Sequence, residues 1–253
     1  VKVLIINTPL FKEKMAQHDE DSLPPIGLGY IATNLKMLGH DVRLIDAVAN
    51  NIIISELLDM IVEFNPNVVA VNIFTTNYNL TKELIESIKD PSIKIIVGGL
   101  STRTLYKDIF EWNTQNHIDV VFGDGELITG ALISRTESES PKESKAFRRF
   151  FCVNCESIYF VKDISTVSLD RSFFINEPLT NHSGFKEVSI VTNRGCKNNC
   201  TFCAAARSKN PDLPIREMTE ESVVRDIENI GKRYKDVTNI RVLDDLFLGN
   251  SQS

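Results

Sequence analysis

No apolar run in this chain comes near the roughly 20 residues that cross a bilayer, and its first residues lack the charged stretch followed by an apolar one that marks a secretory leader. Neither a membrane span nor a leader is expected, and a cytoplasmic location follows. An excess of positive charge is also missing: 28 Lys and Arg stand against 34 Asp and Glu, a net charge of −6. The only basic cluster is short, at Lys145, Arg148 and Arg149. Nucleic-acid backbones are held by clustered cations, so neither nucleic acid nor membrane is an expected partner. Cysteine is scarce and odd in number, five in 253 residues, which does not suit a secreted disulfide framework. No G-x-G-x-x-G follows the first strand-like run, which disfavours an ordinary dinucleotide site.

Short β-branched runs alternate with stretches of helical period through the first half. Residues 1–7, 41–46, 67–74, 93–99 and 118–123 read as strands, and four of them are nearly continuously apolar, which predicts burial on both faces. Helices are predicted between them, over about 26–38, 53–64, 79–89 and 102–115. Leu80, Leu84, Ile85 and Ile88 give the third a single apolar face. The alternation predicts an α/β fold, a doubly wound parallel sheet, for residues 1–134.

Such sheets bind ligands beyond the carboxyl ends of their strands, so the loops there are informative. Pro25, Gly27 and Gly29 end the long first loop, and Thr75 and Thr76 follow the third strand. Gly98, Gly99, Ser101 and Thr102 follow the fourth, and Gly123, Gly125 and Glu126 the fifth. Glycine lets backbone amides approach a ligand closely, and small hydroxyls donate hydrogen bonds. Any one of these loops could simply turn the chain; four on one rim predict a ligand.

Residues 135–187 lose the rhythm. The polar stretch R-T-E-S-E-S-P-K-E-S-K reads as a solvated connector, and the run I-Y-F-V-K-D-I-S-T-V-S-L-D-R-S-F-F as short extended pieces between domains. Cys152 and Cys155 form a C-x-x-C with no second Cys or His pair beside it, and are read as inert thiols. Residues 188–253 then open a second unit: a strand over 188–193, a helix over about 219–234 with Val223, Val224, Ile227 and Ile230 on one face, and a strand over 239–245. After its first strand come Cys196, Cys200 and Cys203, three thiols within eight residues. Closed zinc sites and ferredoxin clusters take four protein ligands. Three leave one metal position open, as catalytic sites do.

The stretches P-P-I-G-L-G-Y-I-A-T-N-L, N-P-N-V-V-A-V-N-I-F-T-T-N, I-I-V-G-G-L-S-T-R and I-D-V-V-F-G-D-G-E, in that order, resemble the cobalamin-binding domain at the front of many radical enzymes. The C-x3-C-x2-C spacing, with Phe202 just before the third cysteine, resembles the radical S-adenosylmethionine (SAM) superfamily. The whole is similar to the cobalamin-dependent radical SAM enzymes. The resemblance implies a flavodoxin-like cobalamin-binding domain over 1–134, a linker over 135–187 and the first units of an incomplete (β/α) radical SAM barrel over 188–253. It implies a 4Fe-4S cluster on Cys196, Cys200 and Cys203, with S-adenosylmethionine chelating the open iron, and cobalamin on the glycine-rich rim. Arg216 and the D-D-x-F run at Asp244, Asp245 and Phe247 also match relatives. Phe202 and Arg216 are thereby implied in cofactor binding, and one of the two carboxylates in contact with the methionine ammonium.

The implied reaction is reductive cleavage of S-adenosylmethionine followed by methyl transfer to an unactivated carbon or a phosphinate of a small molecule. A small-molecule substrate and an electron donor such as flavodoxin or ferredoxin are the implied partners. Cyclisation or rearrangement within the same family is an alternative, as is a truncated, non-catalytic corrinoid-binding protein; tRNA methylthiolation shares the cysteine motif but suits the acidic balance poorly. One departure concerns cobalt: cobalamin domains of the methionine synthase type use an Asp-x-His-x-x-Gly loop, whereas His18 is followed here by Asp-Glu-Asp-Ser. Another is G-G-L-S-T-R, where relatives more often carry a His after the glycines. At about 30 residues per barrel unit, residues 188–253 hold about two units, so a portion of a longer enzyme is expected.

Overall fold

Val3, Leu4, Ile5 and Ile6 are all completely buried, which places β1 (Lys2–Asn7) in the middle of a sheet. The computed structural model describes residues 1–14, 23–113, 115–134, 148–152, 163–209 and 214–247. In chain order the front module runs β1, α1 (Ile26–Met37), β2 (Asp41–Asp46), α2 (Ile54–Phe64), β3 (Val68–Asn72), α3 (Tyr78–Ser87), β4 (Lys94–Gly98), α4 (Thr102–Trp112), β5 (Ile118–Phe122), α5 (Glu126–Ser134) and β6 (Arg148–Cys152). Its sheet has the order β2-β1-β3-β4-β5-β6, and every adjacent pair is parallel. This is the doubly wound, flavodoxin-like arrangement expected from the alternating runs.

Both faces of the sheet are covered because alternate strand residues feed separate cores. Leu4, Ile6, Val69, Val71, Ile95 and Val97 pack against α2, α3 and α4. Val3, Ile5, Val68, Ala70 and Ile96 pack against α1 and α5. The chain leaves β1 for β2 on one side and returns to β3 on the other, so the connections diverge between β1 and β3. A ligand-binding crevice belongs there.

The polar run at 135–145 lies outside the described residues, but the described residues between 148 and 187 carry more structure than a plain connector. β6 lies among them and adds a sixth strand, parallel to β5, with Ile118 opposite Arg148 and Phe122 opposite Cys152. The polar run before β6 hides it from pattern reading, while the open edge of β5 gives it a partner. Further on, the connector is strapped to α1. Thr33 Oγ1 accepts the Asp170 N–H at 3.0 Å, Lys36 pairs with Asp170 at 2.7 Å, and a Cβ on Gly29 would collide with the Phe174 ring. Gly29 is therefore a packing glycine, not one facing a ligand. A 3-10 turn at Arg171–Phe173 follows.

The second module begins with β7 (Leu179–Thr180) and β8 (Lys186–Ile190), continues through β9 (Asn193–Arg194), β10 (Arg216–Glu217) and α6 (Glu220–Arg233), and ends in β11 (Asn239–Val242). β8 and β11 are parallel with α6 as the crossover between them, the unit predicted for the start of a barrel. β7 pairs antiparallel on the other side of β8, an addition the sequence did not reveal. Thr219 caps α6, its side chain accepting the Ser222 N–H at 3.3 Å. Val223 and Ile230 pack on the sheet, but Val224 and Ile227 are 54% and 42% exposed, so the inward face of α6 is narrower than its four apolar positions suggested. No helix among the described residues is long and apolar enough to cross a membrane.

The two modules share a core. Ile26 and Tyr30 of α1 and Val167 and Phe174 of the connector are buried together, with Val191, Met218 and Leu243 of the second module packed against them. Beneath it Arg171, 5% exposed, joins Glu177 at 3.0 Å and Asp226 at 3.1 Å and donates to the Ser189 carbonyl at 3.0 Å.

Candidate functional site

The carboxyl ends of β1, β3, β4 and β5 open into a cavity of about 410 Å³. Its floor is apolar, with Ile5, Ala70, Ile96 and Val121, and its rim carries Pro25, Gly27, Gly98, Gly99, Gly123, Gly125 and Glu126. The glycines there do different things. At Gly27 and Gly98 a Cβ would meet nothing within 4 Å, so the missing side chain is what leaves the cavity open. Gly99 has φ +111°, and a Cβ would lie 2.7 Å from the Ile73 carbonyl oxygen. That glycine is needed for the turn itself. Gly125 makes room for Ile31, whose Cδ1 would stand 2.5 Å from an added Cβ.

Thr102 and Ser101, expected as ligand donors, serve the fold. Thr102 Oγ1 is within hydrogen-bond reach of the Gly99 carbonyl at 2.8 Å and the Val121 carbonyl at 2.9 Å, and Ser101 occupies the N-cap position of α4, its backbone N–H directed to the Ile73 carbonyl and its side chain making no capping hydrogen bond. Thr75 and Thr76 are exposed. Thr75, Ser101 and Phe202 border a separate groove rather than the glycine-rimmed cavity. The loop after β3 is instead fixed by Asn77, whose Oδ1 accepts the Phe74 N–H at 2.7 Å and whose Nδ2 donates to Thr8 Oγ1 at 2.7 Å. Asn72 continues this buried chain to Asn7 at 2.8 Å, and Asn7 to Asp46 at 2.8 Å. Burial raises the pKa of Asp46 against these hydrogen bonds. Asn72 and Phe74 line the cavity and were not singled out in the sequence; an Asn closing a buried strand was the available signal.

A second cavity of about 460 Å³ lies between the modules. It shares Gly27, Phe74, Gly99, Gly123, Asp124 and Arg194 with the first and reaches Cys196, Arg216 and Asp245. The space over the strand ends thus adjoins, across these shared walls, a cavity that reaches the start of the cysteine loop. Asn193 also lines it, and its Oδ1 is buried with no hydrogen-bond partner among the described residues, an acceptor suited to a donor-bearing ligand.

An ionic cluster spans the same place. Arg194 pairs with Asp124 at 3.1 Å and Glu126 at 2.5 Å, Arg216 pairs with the second oxygen of Asp124, and the Arg194 guanidinium lies 5.2 Å from the Tyr30 ring centre. Burial opposes the charge on Arg194, but Glu126 and then Asp124 outweigh it and raise its pKa. Burial pushes the Tyr30 hydroxyl up to about 12, with Asp226 adding to it, so the phenol stays protonated. Arg216 and Glu126 were expected in cofactor binding; the structure pairs them into this cluster. Asp124 and Arg194 were missed, although Asp124 stands inside the quoted G-D-G-E and Arg194 stands two residues before Cys196.

The cysteine loop leaves β9 at Gly195, whose φ is +93° and whose N–H donates to Asp245 at 2.8 Å. Asp244 accepts the N–H groups of Thr192 at 2.7 Å and Asn193 at 3.0 Å, and the Thr192 hydroxyl. The expected ligand carboxylates are thus engaged in shaping the lead-in to the cysteines: Asp244 is filled by its donors, and Asp245 also faces the cavity. The loop curls through Cys203 N–H to the Cys200 carbonyl at 3.1 Å and Arg207 N–H to the Asn198 carbonyl at 3.2 Å. Cys200 is exposed, Cys196 and Cys203 half-buried, and all three are free. Phe202 points away at 89% exposure.

Among the described residues no three His, Cys, Asp or Glu side chains converge as a metal-binding group. Sites of this kind are commonly completed by the metal they bind, and the donor set, three thiols in one loop, suits an iron–sulfur cluster. The glycine cradle likewise suits a broad, flat group. His18 and Cys155 lie outside the described residues.

The B12 binding domain family matches residues 15–133. An uncharacterized methyltransferase of Pyrococcus horikoshii is 24% identical over 243 residues, 90% of this chain and 50% of its own length. Anaerobic magnesium-protoporphyrin IX monomethyl ester cyclase of Synechocystis sp. is 24% identical over 212 residues, 80% of this chain and 42% of its own. Among solved structures, the cobalamin-dependent S-adenosylmethionine radical enzyme OxsB, with aqua-cobalamin and S-adenosylmethionine bound, superposes with a TM-score of 0.61 at 15% identity. That superposition covers 98% of this chain and 34% of OxsB and speaks for the fold. The chain spans half or less of the length of each of these proteins.

Proposed function

We propose that this chain, whose residues 15–133 match the B12-binding domain family, is the corrinoid-holding and cluster-holding portion of a cobalamin-dependent radical SAM enzyme. The observation that carries the reading is the adjacency of the two cavities, which share Gly27, Gly99 and Gly123 as walls, one lying in the apolar groove over the sheet and the other reaching Cys196. Gly27, Gly98, Gly123 and Gly125 would hold a corrinoid against the strand ends, and Cys196, Cys200 and Cys203 an open-sited 4Fe-4S cluster. When bound, the cluster supplies the electron for reductive cleavage of S-adenosylmethionine, and the corrinoid the methyl group transferred afterwards. The chain's own residues orient and shield: Asp244 and Asp245 fix the turn into the cysteine loop, the apolar groove excludes water, and Asn193 Oδ1 stands ready to accept a hydrogen bond. Such a division leaves the hard chemistry to the cofactors.

Methyl transfer to an unactivated carbon or phosphinate of a small molecule is the favoured outcome, in keeping with the Pyrococcus horikoshii relative. Ring closure is the second reading, favoured by the cyclases among the relatives. Electrons would come from a small carrier such as flavodoxin or ferredoxin.

Two measurements test the reading. Incubated with hydroxocobalamin and desalted, the chain should keep a coloured corrinoid; a colourless eluate removes the front module's ligand. Reconstituted anaerobically with iron and sulfide, it should show the charge-transfer absorption of a four-iron cluster, lost in Cys200→Ala. Absence of that band in the unsubstituted chain would sink the cluster assignment.

A further inference from the structure

Arg194 and Arg216 face each other directly across the β9–β10 ribbon, and the cysteine loop is the connection between those strands. Like charges opposite one another in an antiparallel pair repel. Here the two side chains are only 19% and 8% exposed, so water screens them little. What stands between them is Asp124. One of its oxygens takes Arg194 at 3.1 Å and Arg216 at 3.3 Å, the other pairs with Arg216 again, and Glu126 adds a second anion on Arg194 at 2.5 Å. Both carboxylates come from the other module, from the loop whose Gly123 and Gly125 rim the groove over the sheet. The ribbon at the base of the cysteine loop therefore closes on a charge that it does not contain.

We propose that Asp124 is a positioning residue that clamps the two ends of the cysteine loop, and that it couples the loop's order to occupation of the neighbouring groove. The clamp stands on the ion pairs alone; the coupling rests on the corrinoid reading above. Its physical basis is shared backbone. Residues 123–126 cannot shift for a ligand in the groove without moving the carboxylates that hold Arg194 and Arg216. Because such coupling is reciprocal, filling the groove steadies the cysteine loop, and filling the loop tightens the groove.

The test is backbone hydrogen exchange on the full chain. In the ligand-free protein, Asp124→Asn should speed exchange of residues 195–209, while amides of β5 and β8 keep their rates; unchanged exchange in 195–209 overturns the clamp. Asp124→Glu should restore part of the protection, which a variant that merely unfolds the interface would not. Should Asp124→Asn disturb the whole fold, a cycle with Arg216→Gln decides: the double variant should be better protected than Asp124→Asn alone, and simple additivity overturns the proposal. For the coupling, hydroxocobalamin should slow exchange in 195–209 of the unsubstituted chain by about fivefold or more, the lower range of inter-site couplings, and not do so in Asp124→Asn. Equal slowing in both, or none in a chain that retains its corrinoid, overturns the coupling. A chain that retains no corrinoid overturns the coupling together with the functional reading and leaves the clamp to be judged by the ligand-free comparison.

Discussion

At Gly98 an added methyl group would meet nothing within 4 Å, whereas at Gly99 it would strike the Ile73 backbone at 2.7 Å with φ held at +111°. Neighbouring glycines in one motif therefore predict opposite outcomes. Gly98→Val should leave the thermal midpoint nearly unchanged and cut hydroxocobalamin retention at least tenfold, because the branched side chain fills the groove. Gly99→Ala should lower stability by about 1–3 kcal/mol through backbone strain, seen in urea unfolding, with corrinoid retention falling only as the fold does. The same distinction applies in the cysteine loop. Cys200 is exposed, so Cys200→Ala should lose iron while its unfolding curve stays in place. Motif reading found these residues as a class; separating those that face a ligand from those that make the turn took the atoms around each one.

The connector shows what an element adds beyond its residues. Asp170 feels burial, which raises its pKa, but Lys36 and Ser172 outweigh that and hold the carboxyl at about 2, below its ordinary 3.8. A folded pKa below the unfolded one gives stability that is fully present above about pH 4 and lost as pH falls towards 2. Lys36 is well exposed, so the contribution is about 1 kcal/mol or less. Urea midpoints at pH 5 and pH 3 should therefore converge for Asp170→Asn more than for the unsubstituted chain. Arg171 is a stronger case. It is buried with Glu177 and Asp226, and burial raises the pKa of Glu177 even against its arginine. Arg171→Ala takes the buried cation from both carboxylates and should cost about 3–5 kcal/mol, measured by urea unfolding at pH 7. None of this was legible in residues 163–180, where neither periodicity nor a motif marks a strap; apart from Glu177, the partners of Asp170 and Arg171 named here lie on α1 and α6, far away in sequence.

For the whole molecule, the joint core around Tyr30 and Phe174 and the Asp124 cluster predict that the two modules unfold as one cooperative unit. Trp112 is the only tryptophan and sits in the core of the front module, so its fluorescence reports that module alone. Its urea transition should coincide with the loss of far-ultraviolet dichroism, which reports both modules. Tyr30→Ala, which removes the ring beneath Arg194, should pull the two curves apart by destabilising the junction; coincident curves in that variant would show that the modules are joined elsewhere.

The sequence by itself determined the period and order of the front strands and helices, because burial on both faces of a parallel sheet leaves near-continuous apolar runs that can be read locally. It also determined the three-thiol donor set, since spacing along one loop is a property of the chain. Only the tertiary structure decided which glycines open onto the groove, that β6 joins the sheet, and that Asp244 is occupied by the backbone ahead of the cysteines. Only it brought Asp124 between Arg194 and Arg216, 70 and 92 residues away. A charge pair at that distance leaves no periodic trace in a single sequence, and its energy depends on burial, which no residue possesses until the modules close on each other.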